Sequence, residues 1–182
     1  MQALYEVFLP NMMGIAKFKN YKRGEVFELI NKAAFVVSGV FAIDARHTPM
    51  TLRLASFGDI LNLERIVKFP TVEVGYKCES LHGQVAEIPL AYFEEQMRSE
   101  SPEVRNAMSQ YLLSQTLRFN TDFIETLCAV REGTAIDKVV WALERFRKIS
   151  EDPIQTSRLA SHIGVAPETA SRAFSQFNRA AL

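Results

Sequence analysis

The chain has 182 residues, of which 48% are hydrophobic and 23% charged, and its 21 Lys and Arg are balanced by 21 Asp and Glu. These proportions are typical of a globular protein with a sizeable core, and no apolar run approaches the ~18 residues that a membrane-spanning helix needs. Because the N-terminal stretch MQALYEVFLPNMMGIAKF lacks a basic start and an uninterrupted apolar region, it does not resemble a signal peptide, and we expect a cytoplasmic protein.

The N-terminal half of the sequence predicts antiparallel strands. Residues 1–16 have the pattern of a short amphipathic helix, and the pattern changes from about residue 18. Between residues 18 and 90, short runs such as AAFVVSGVFAID and MTLRLASFGDIL are rich in alternating, β-branched or aromatic residues, with turn signals between them. Several short strands joined by turns are typical of a β-sandwich or barrel.

The two cysteines, Cys78 and Cys128, do not predict a cofactor site. They are too far apart in sequence to form a paired metal-ligand motif, and two thiolates are too few for a four-thiolate iron–sulfur cluster. We therefore interpret both as reduced structural residues.

A long helix is predicted after Pro102, where apolar residues recur at intervals of three and four, close to a heptad pattern. It would run for about 28 residues, or about 42 Å at the helical rise per residue. One face would cover the β-domain, and a second copy of the same helix is an economical partner for the rest. The predicted dimer interface comprises Met108, Leu112, Phe119, Phe123 and Leu127. The alternative is a helix that lies wholly on its own β-domain.

The stretch TAIDKVVWALERFRKI predicts a second helix, because Thr134 and Asp137 have the spacing of a capping box and the apolar residues fall on one face. The stretch QTSRLASHIGVAPETASRAFSQF then predicts a helix-turn-helix. Ala160 is small enough for a close helix crossing, Gly164 tolerates the positive φ of a turn, and Pro167 suits the first position of a helix.

The second helix of this pair has an apolar back and a polar front. Glu168, Ser171 and Arg172 are candidates for reading base edges, because arginine can bond guanine in a fork and glutamate can accept from cytosine. The candidates for phosphate contact are Thr156, Ser157, Arg158 and Thr169, and we expect His162 at the surface or on the phosphate side. The alternative is a plain helical hairpin with a solvated face.

Charge is distributed unevenly along the chain. Residues 1–137 carry 14 Lys and Arg against 17 Asp and Glu, a balance of −3, whereas residues 138–182 carry 7 against 4, a balance of +3. A basic C-terminal part suits contact with phosphate.

The stretch LASHIGVAPETASRAF resembles the helix-turn-helix of the Crp–Fnr superfamily of bacterial transcription regulators, and Glu168, Ser171 and Arg172 match the Glu-x-x-Ser-Arg pattern of its Fnr-type recognition helix. VVSGVFAI, LASFGDIL and VAEIPLAYFEEQM are similar to its β-roll segments, in the same order. The resemblance implies an α+β protein with an antiparallel, jelly-roll-like β-roll sensor domain, a long dimerisation helix and a C-terminal helix-turn-helix. Their expected ranges are 1–100, 101–132 and 133–182.

The resemblance also implies a function. The implied protein is a sequence-specific transcription regulator that binds a palindromic site on duplex DNA as a homodimer. It would also contact RNA polymerase, and it would be neither an enzyme nor a membrane protein. The alternative is a β-roll ligand-binding or protein-interaction module that no longer binds DNA. A cupin-like enzyme would need clustered histidines and carboxylates, and the three histidines are scattered.

Two features depart from the family pattern. The positions expected to hold the ribose, the phosphate and a hydroxyl of a cyclic nucleotide fall on Leu63, Glu73 and Val74, and a glutamate would repel the phosphate. We therefore expect no binding of cyclic nucleotide in the usual way, no cofactor and no metal, and the effector stays unassigned. The sequence also ends before the β-hairpin wing of the family, and two readings stay open: a protein that naturally lacks a wing, or a sequence that stops short of it. Without a wing, loss of its contacts with the DNA backbone would weaken binding, and base readout could survive.

Haem is a further cofactor used in the family. Its iron would need ligands from His47, His82 or Cys78. The simpler interpretation is that these three are ordinary loop or strand residues.

Overall fold

The computed structural model describes residues 14–47, 51–68, 73–150 and 152–180, with side chains described up to residue 177. The helix predicted for residues 1–16 falls almost entirely outside this part of the chain. The eight strands described are β1 Lys17–Lys22, β2 Val26–Phe27, β3 Lys32–Ser38, β4 Phe41–Ala45, β5 Thr51–Ala55, β6 Ile60–Leu61, β7 Val74–Cys78 and β8 His82–Pro89. The six helices described are α1 Leu63–Ile66, α2 Leu90–Met97, α3 Pro102–Glu132, α4 Ala135–Ile149, α5 Thr156–Ile163 and α6 Pro167–Ala180.

The strands form two four-stranded antiparallel sheets, in the orders β1-β8-β3-β6 and β2-β7-β4-β5. Their facing sides share a core in which Val36 and Val85 of one sheet meet Phe41, Ile43 and Tyr76 of the other. Burial along β3 and β8 is nearly continuous, and the runs of Ala, Val, Ile and Phe in them are the feature from which the sequence predicted strands here. The predicted fold class, an α+β protein with an antiparallel β-roll followed by helices, is confirmed.

Gly83 in β8 allows the two sheets to approach closely. A Cβ atom at this position would lie 2.6 Å from Cζ of Phe41, whose side chain is fully buried. Any larger residue would therefore displace the centre of the β-roll core.

The long helix α3 lies across the β-roll with one side in its core. The Ser101 side chain caps the helix by accepting a hydrogen bond from the backbone N–H of Val104, and Pro102 occupies the first turn. Met108 and Leu112 are buried with Phe93 of α2 against the β-roll. The amino-terminal half of α3 is thus part of the core of its own chain.

The last three helices form a second packed unit. The capping box predicted at Thr134 and Asp137 is present at the start of α4. Buried residues from all three helices make one cluster, comprising Val139, Ala142, Leu143, Leu159, Ala160, Ile163, Ala170 and Ala173. On α4, Phe146 points out of this cluster and packs on Val40, Ala42 and Leu54 of the β-roll, which anchors the helical unit to the sheet.

Candidate nucleic-acid interface

Helix α6 presents polar side chains on one face and buries small residues on the other. Glu168, Ser171 and Arg172 are exposed, whereas Ala170 and Ala173 are buried against the helical unit. A helix whose back is fixed by close-packed alanines can hold its outward side chains in constant positions. The three residues predicted to read bases are therefore together on the accessible face of one rigid helix.

The turn before α6 has the geometry that its sequence predicts. Gly164 has a φ of 67°, in the left-handed region, and the N–H of Val165 donates to the carbonyl oxygen of Ala160 at 3.1 Å. Ile163 is fully buried at the end of α5, and α6 begins at Pro167. These local contacts set the angle at which α5 and α6 cross.

The four residues predicted to contact phosphate lie in different environments. Ser157 is exposed at the start of α5, and Thr156 and Thr169 are half-buried. Arg158 points towards the β-roll: its Nη1 donates to both carboxylate oxygens of Asp44, at 2.9 and 2.8 Å, and its Nε lies 2.8 Å from Oε1 of Glu79. In this arrangement its guanidinium is occupied by carboxylates. No spacing in the sequence links α5 to Asp44 or Glu79, so sequence reasoning missed both.

His162 is buried, and the expectation that it lies at the surface is wrong. Its ring is 2% exposed and stacks on Trp141, with ring centroids 5.7 Å apart. Burial lowers the pKa of His162 to about 4, because the charged imidazolium would lose its hydration. The neutral ring belongs to the core between α4, α5 and β5, where sequence periodicity alone does not distinguish a buried histidine from an exposed one.

Helix α3 carries a second apolar stripe, which is exposed to solvent in this single chain. Its members are Leu113, Leu117, Phe123, Ile124 and Leu127, each between 41% and 59% exposed. Of the five residues predicted for a dimer interface, Phe123 and Leu127 lie on this stripe and Phe119 is half-buried beneath the guanidinium of Arg53. The other two, Met108 and Leu112, are enclosed by their own chain and so do not face a partner, which corrects the prediction for both.

The sequence reasoning missed the other members of the stripe. Leu113, Leu117, Ile124 and Leu127, with the polar Asn120 among them, follow intervals of four, three, four and three, the spacing of a heptad seam. We name Leu113, Leu117, Asn120, Ile124 and Leu127 the α3 seam. Apart from Leu127, which belongs to both, the seam lies one residue away from the pattern predicted from the sequence, because apolar residues occupy two adjacent stripes of the helix.

A cavity of about 290 Å³ opens in the β-roll, where the Crp–Fnr resemblance implies an effector site. Its wall includes the acidic residues Glu28, Glu64 and Glu73 and the basic residues Arg46 and Arg65. Arg46 forms ion pairs with both Glu28 and Glu73, and burial raises the pKa of the Glu64 carboxyl. This wall has no excess of positive charge, which does not favour a phosphate ligand.

The three residues at the expected cyclic-nucleotide positions are spread over this region. Leu63 is buried in the hydrophobic core, Glu73 is exposed, and Val74 is half-buried at the start of β7. Only Glu73 and Val74 line the cavity.

The described residues contain no group of three or more His, Cys, Asp and Glu side chains that could hold a metal ion. Of the three residues considered for haem, Cys78 is fully buried in β7, whereas His47 and His82 are exposed. Within the same part of the chain, no helix has both the length and the apolar character required to cross a membrane.

Comparison with solved structures relates the whole arrangement to known regulators. The chain is similar to CLP, a c-di-GMP responsive global regulator from Xanthomonas campestris, with a TM-score of 0.75 and 15% identity over 100% of this chain and 94% of that one. It is also similar to FixK2 from Bradyrhizobium japonicum, with a TM-score of 0.73 and 17% identity over 92% and 86% of the two chains. A CRP-family transcriptional regulator from Thermus thermophilus, TTHB099, has a TM-score of 0.65 and 14% identity over 90% and 86%.

These similarities show that the chain has the fold of CRP-type regulators, with the β-roll, the long helix and the C-terminal helices in the same order. No protein-family model and no curated protein matches the sequence.

Proposed function

We propose that this chain is a sequence-specific, DNA-binding transcription regulator of the Crp–Fnr type. The proposal depends on one observation: α6 presents Glu168, Ser171 and Arg172 to solvent on a back formed by buried alanines. In a helix-turn-helix, the second helix enters the major groove and contacts base edges with its amino-terminal residues. All three side chains are in the first two turns of α6.

Each of the three residues has a chemical role that its side chain can fulfil. Arg172 would donate two hydrogen bonds to O6 and N7 of a guanine, and Glu168 would accept from N4 of a cytosine. Ser171 is exposed on the same face and can bond either type of edge. Thr156, Ser157 and Thr169 would contact phosphates at the edge of the same groove, and these contacts would set the register without selecting a sequence.

We propose that the α3 seam pairs with the same seam of a second chain. Pairing would remove four exposed aliphatic side chains from water on each chain. The Asn120 amide within the seam would favour a coiled coil of two parallel helices in one register. A twofold axis along α3 relates the two copies of α6, which can then enter successive major grooves about 34 Å apart. The expected binding site is a near-palindrome.

We assign no effector to this regulator. Glu73 stands where a phosphate-binding arginine is expected, and it is paired with Arg46 in the wall of the β-roll cavity. A cyclic nucleotide bound in the usual way would bring its phosphate towards this carboxylate. The proposed regulator therefore does not use cyclic nucleotide in the way that the Crp–Fnr resemblance would imply.

The proposal is tested by selecting bound sequences from a random duplex library and measuring affinity for the selected and for an unrelated duplex. Replacing Arg172 with Ala should cost about 1–3 kcal/mol of discrimination at one base pair and leave weak non-specific binding largely intact.

The matched control is Arg147→Ala, which removes the same charge from an exposed position on α4. It should weaken binding to both duplexes by a similar, smaller factor. If no sequence is selected, and if binding of any duplex is absent at low salt, the chain is instead a β-roll module that does not bind DNA.

A further inference from the structure

The amino-terminal end of α5 is docked on the edge of the β-roll by a polar cluster that we name the α5 latch, comprising Arg158, Asp44, Glu79, Thr51 and Ser161. Arg158 contacts the carboxylates of Asp44 and Glu79, as described above, and its Nη1 also donates to Oγ1 of Thr51 at 3.1 Å. The Thr51 and Ser161 hydroxyl oxygens are 3.3 Å apart. The cluster therefore joins one helix of the helix-turn-helix to strands β4 and β5 and to the residue after β7.

The charges of the latch are largely removed from water. The side chain of Arg158 is 12% exposed and that of Glu79 is 4% exposed. Asp44 is 29% exposed. Burial raises the pKa of the Glu79 carboxyl, and the positive charges of Arg158, Lys77 and Arg23 oppose that shift. When a buried pair loses one member, the other is left uncompensated, so the contact depends on all three charges.

The chain before α5 is also held on the β-roll. A carboxylate oxygen of Asp152 accepts a hydrogen bond from the backbone N–H of Leu81 at 2.7 Å, and Nη2 of Arg23 donates to the carbonyl oxygen of Pro153 at 3.3 Å. These bonds fix the segment that leads from α4 into α5. The docked position of α5 is therefore specified at its start as well as along its side.

The latch closes the side of the helix-turn-helix along which a DNA backbone would run. In this motif the first helix crosses the backbone, and the amino-terminal part of the second reads the bases. Here Ser157, Arg158 and Pro167 form one wall of a cleft of about 560 Å³, and Asp44 and Lys77 of the β-roll form part of the other. A cleft of this volume is the size of a small-molecule site and does not admit a duplex.

We propose that the α5 latch is an autoinhibitory contact in which Asp44 and Glu79 compete with a DNA phosphate for Arg158. This inference rests on the proposed DNA-binding function and adds the regulation of that site. Phosphate and carboxylate oxygens are alternative acceptors for the same guanidinium fork. In the docked state the two carboxylates hold that fork, so its donors do not reach a phosphate. Undocking of α5 frees Arg158 and opens the side of the motif that faces the DNA backbone.

A disulfide across the latch tests the proposal directly. The hydroxyl oxygens of Thr51 and Ser161 are close enough for cysteine sulfurs at these positions to bond, so Thr51→Cys with Ser161→Cys should lock the docked state on oxidation. The background is Cys128→Ser, which removes the exposed native thiol. The probe is a fluorescein-labelled, random-sequence duplex of about 30 base pairs at low salt, long enough for two half-sites one helical turn apart.

The oxidised form should bind this duplex at least about tenfold more weakly than the reduced form of the same protein, and the reduced form should approach the Cys128→Ser parent. Equal affinities for the oxidised and reduced forms, with the disulfide established by mass, would overturn the proposal.

Removing the carboxylates tests the same contact from the opposite direction. Asp44→Asn with Glu79→Gln should weaken docking and tighten duplex binding by about tenfold. Losing two negative charges also strengthens binding to DNA in general, so the matched control is Glu28→Gln with Glu73→Gln, which removes two exposed carboxylates from the same β-roll. An equal gain in the two double variants would contradict the latch.

A failure of the proposed function has a different signature. In that case the parent, the reduced form and the undocked variant all fail to bind the duplex even at low salt, and the autoinhibitory role fails with it. If the parent binds and the latch variants do not differ from it, only the latch is wrong.

Discussion

Arg53 of β5 and Asp122 of α3 form an ion pair, with 3.0 Å between Nε and Oδ2, that joins the β-roll to the long helix. The same guanidinium reaches Asp59 at 2.7 Å through Nη2, and Asp122 in turn pairs with Arg145 of α4 at 2.6 Å. One chain of charges thus connects the β-roll, the long helix and the helical unit. Because Arg53 is 5% exposed and Asp59 is 1% exposed, this network is buried at its centre.

Replacing Arg53 with Ala should lower the free energy of unfolding by up to about 3–5 kcal/mol, because the buried carboxylate of Asp59 loses its closest cationic partner and retains the longer ion pair with Arg118. Arg46→Ala is the matched control, since the ion pairs of Arg46 are largely exposed and should contribute less than about 1 kcal/mol. Urea denaturation followed by circular dichroism measures both. A loss below about 1 kcal/mol for Arg53→Ala would show that the network does not stabilise the contact between the β-roll and α3.

A charge placed in the α3 seam should separate the proposed dimer. Leu117→Glu puts a carboxylate at the middle of the seam in both chains and should raise the dimer dissociation constant at least about 100-fold, since each chain loses one leucine that pairing would bury. Sedimentation velocity measures this directly. The control is Ile136→Glu, an exposed aliphatic residue on α4 outside the seam, which should leave the association unchanged. Dimers of Leu117→Glu as tight as those of the parent would exclude this seam as the interface.

The buried His162 should make the fold sensitive to acid. The pKa of His162 falls from 6.5 in an unfolded chain to about 4 in the structure. Between these two values the unfolded state binds a proton that the folded state does not bind. Stability is therefore fully present above pH 6.5 and is lost as pH falls towards 4. His162→Phe keeps an aromatic ring against Trp141 and removes the titration. The difference in unfolding free energy between parent and variant should shift by about 2 kcal/mol from about pH 7 to about pH 5.

Carboxylates that titrate in the same range affect both proteins equally, so this difference isolates His162. An unchanged difference across that pH interval would mean that the histidine is not held neutral by burial.

Features encoded by a few neighbouring residues could be predicted from the sequence. The turn at Gly164 and Pro167 and the cap formed by Thr134 and Asp137 depend on the φ range of glycine, on the missing N–H of proline and on the reach of a threonine hydroxyl. The order of strands and helices followed from the change in apolar period at Pro102. The turn and the cap are determined by residues a few positions apart in the sequence, so they do not depend on distant residues.

Features created by packing between distant segments could not be predicted in the same way. Leu112 and Leu113 are adjacent and equally apolar, yet one is buried in its own chain and the other is exposed, because the side of α3 that meets the β-roll is set by the complete fold. The sequence marks Arg158 as a candidate for phosphate contact but gives no sign of Asp44, 114 residues earlier, to whose carboxylate it donates in this structure. The identity of a charged residue does not reveal which partner it meets.

The two stripes of α3 make it possible to alter assembly and folding independently. Met108 and Leu112 complete the interior of one chain without any contribution from another, so each molecule can reach its native structure before it meets a second. The proposed pairing through the α3 seam would then be a separate, concentration-dependent step. Over evolutionary time, substitutions along the solvent-facing stripe could change which homologous chains associate, while the interior that supports each monomer is retained.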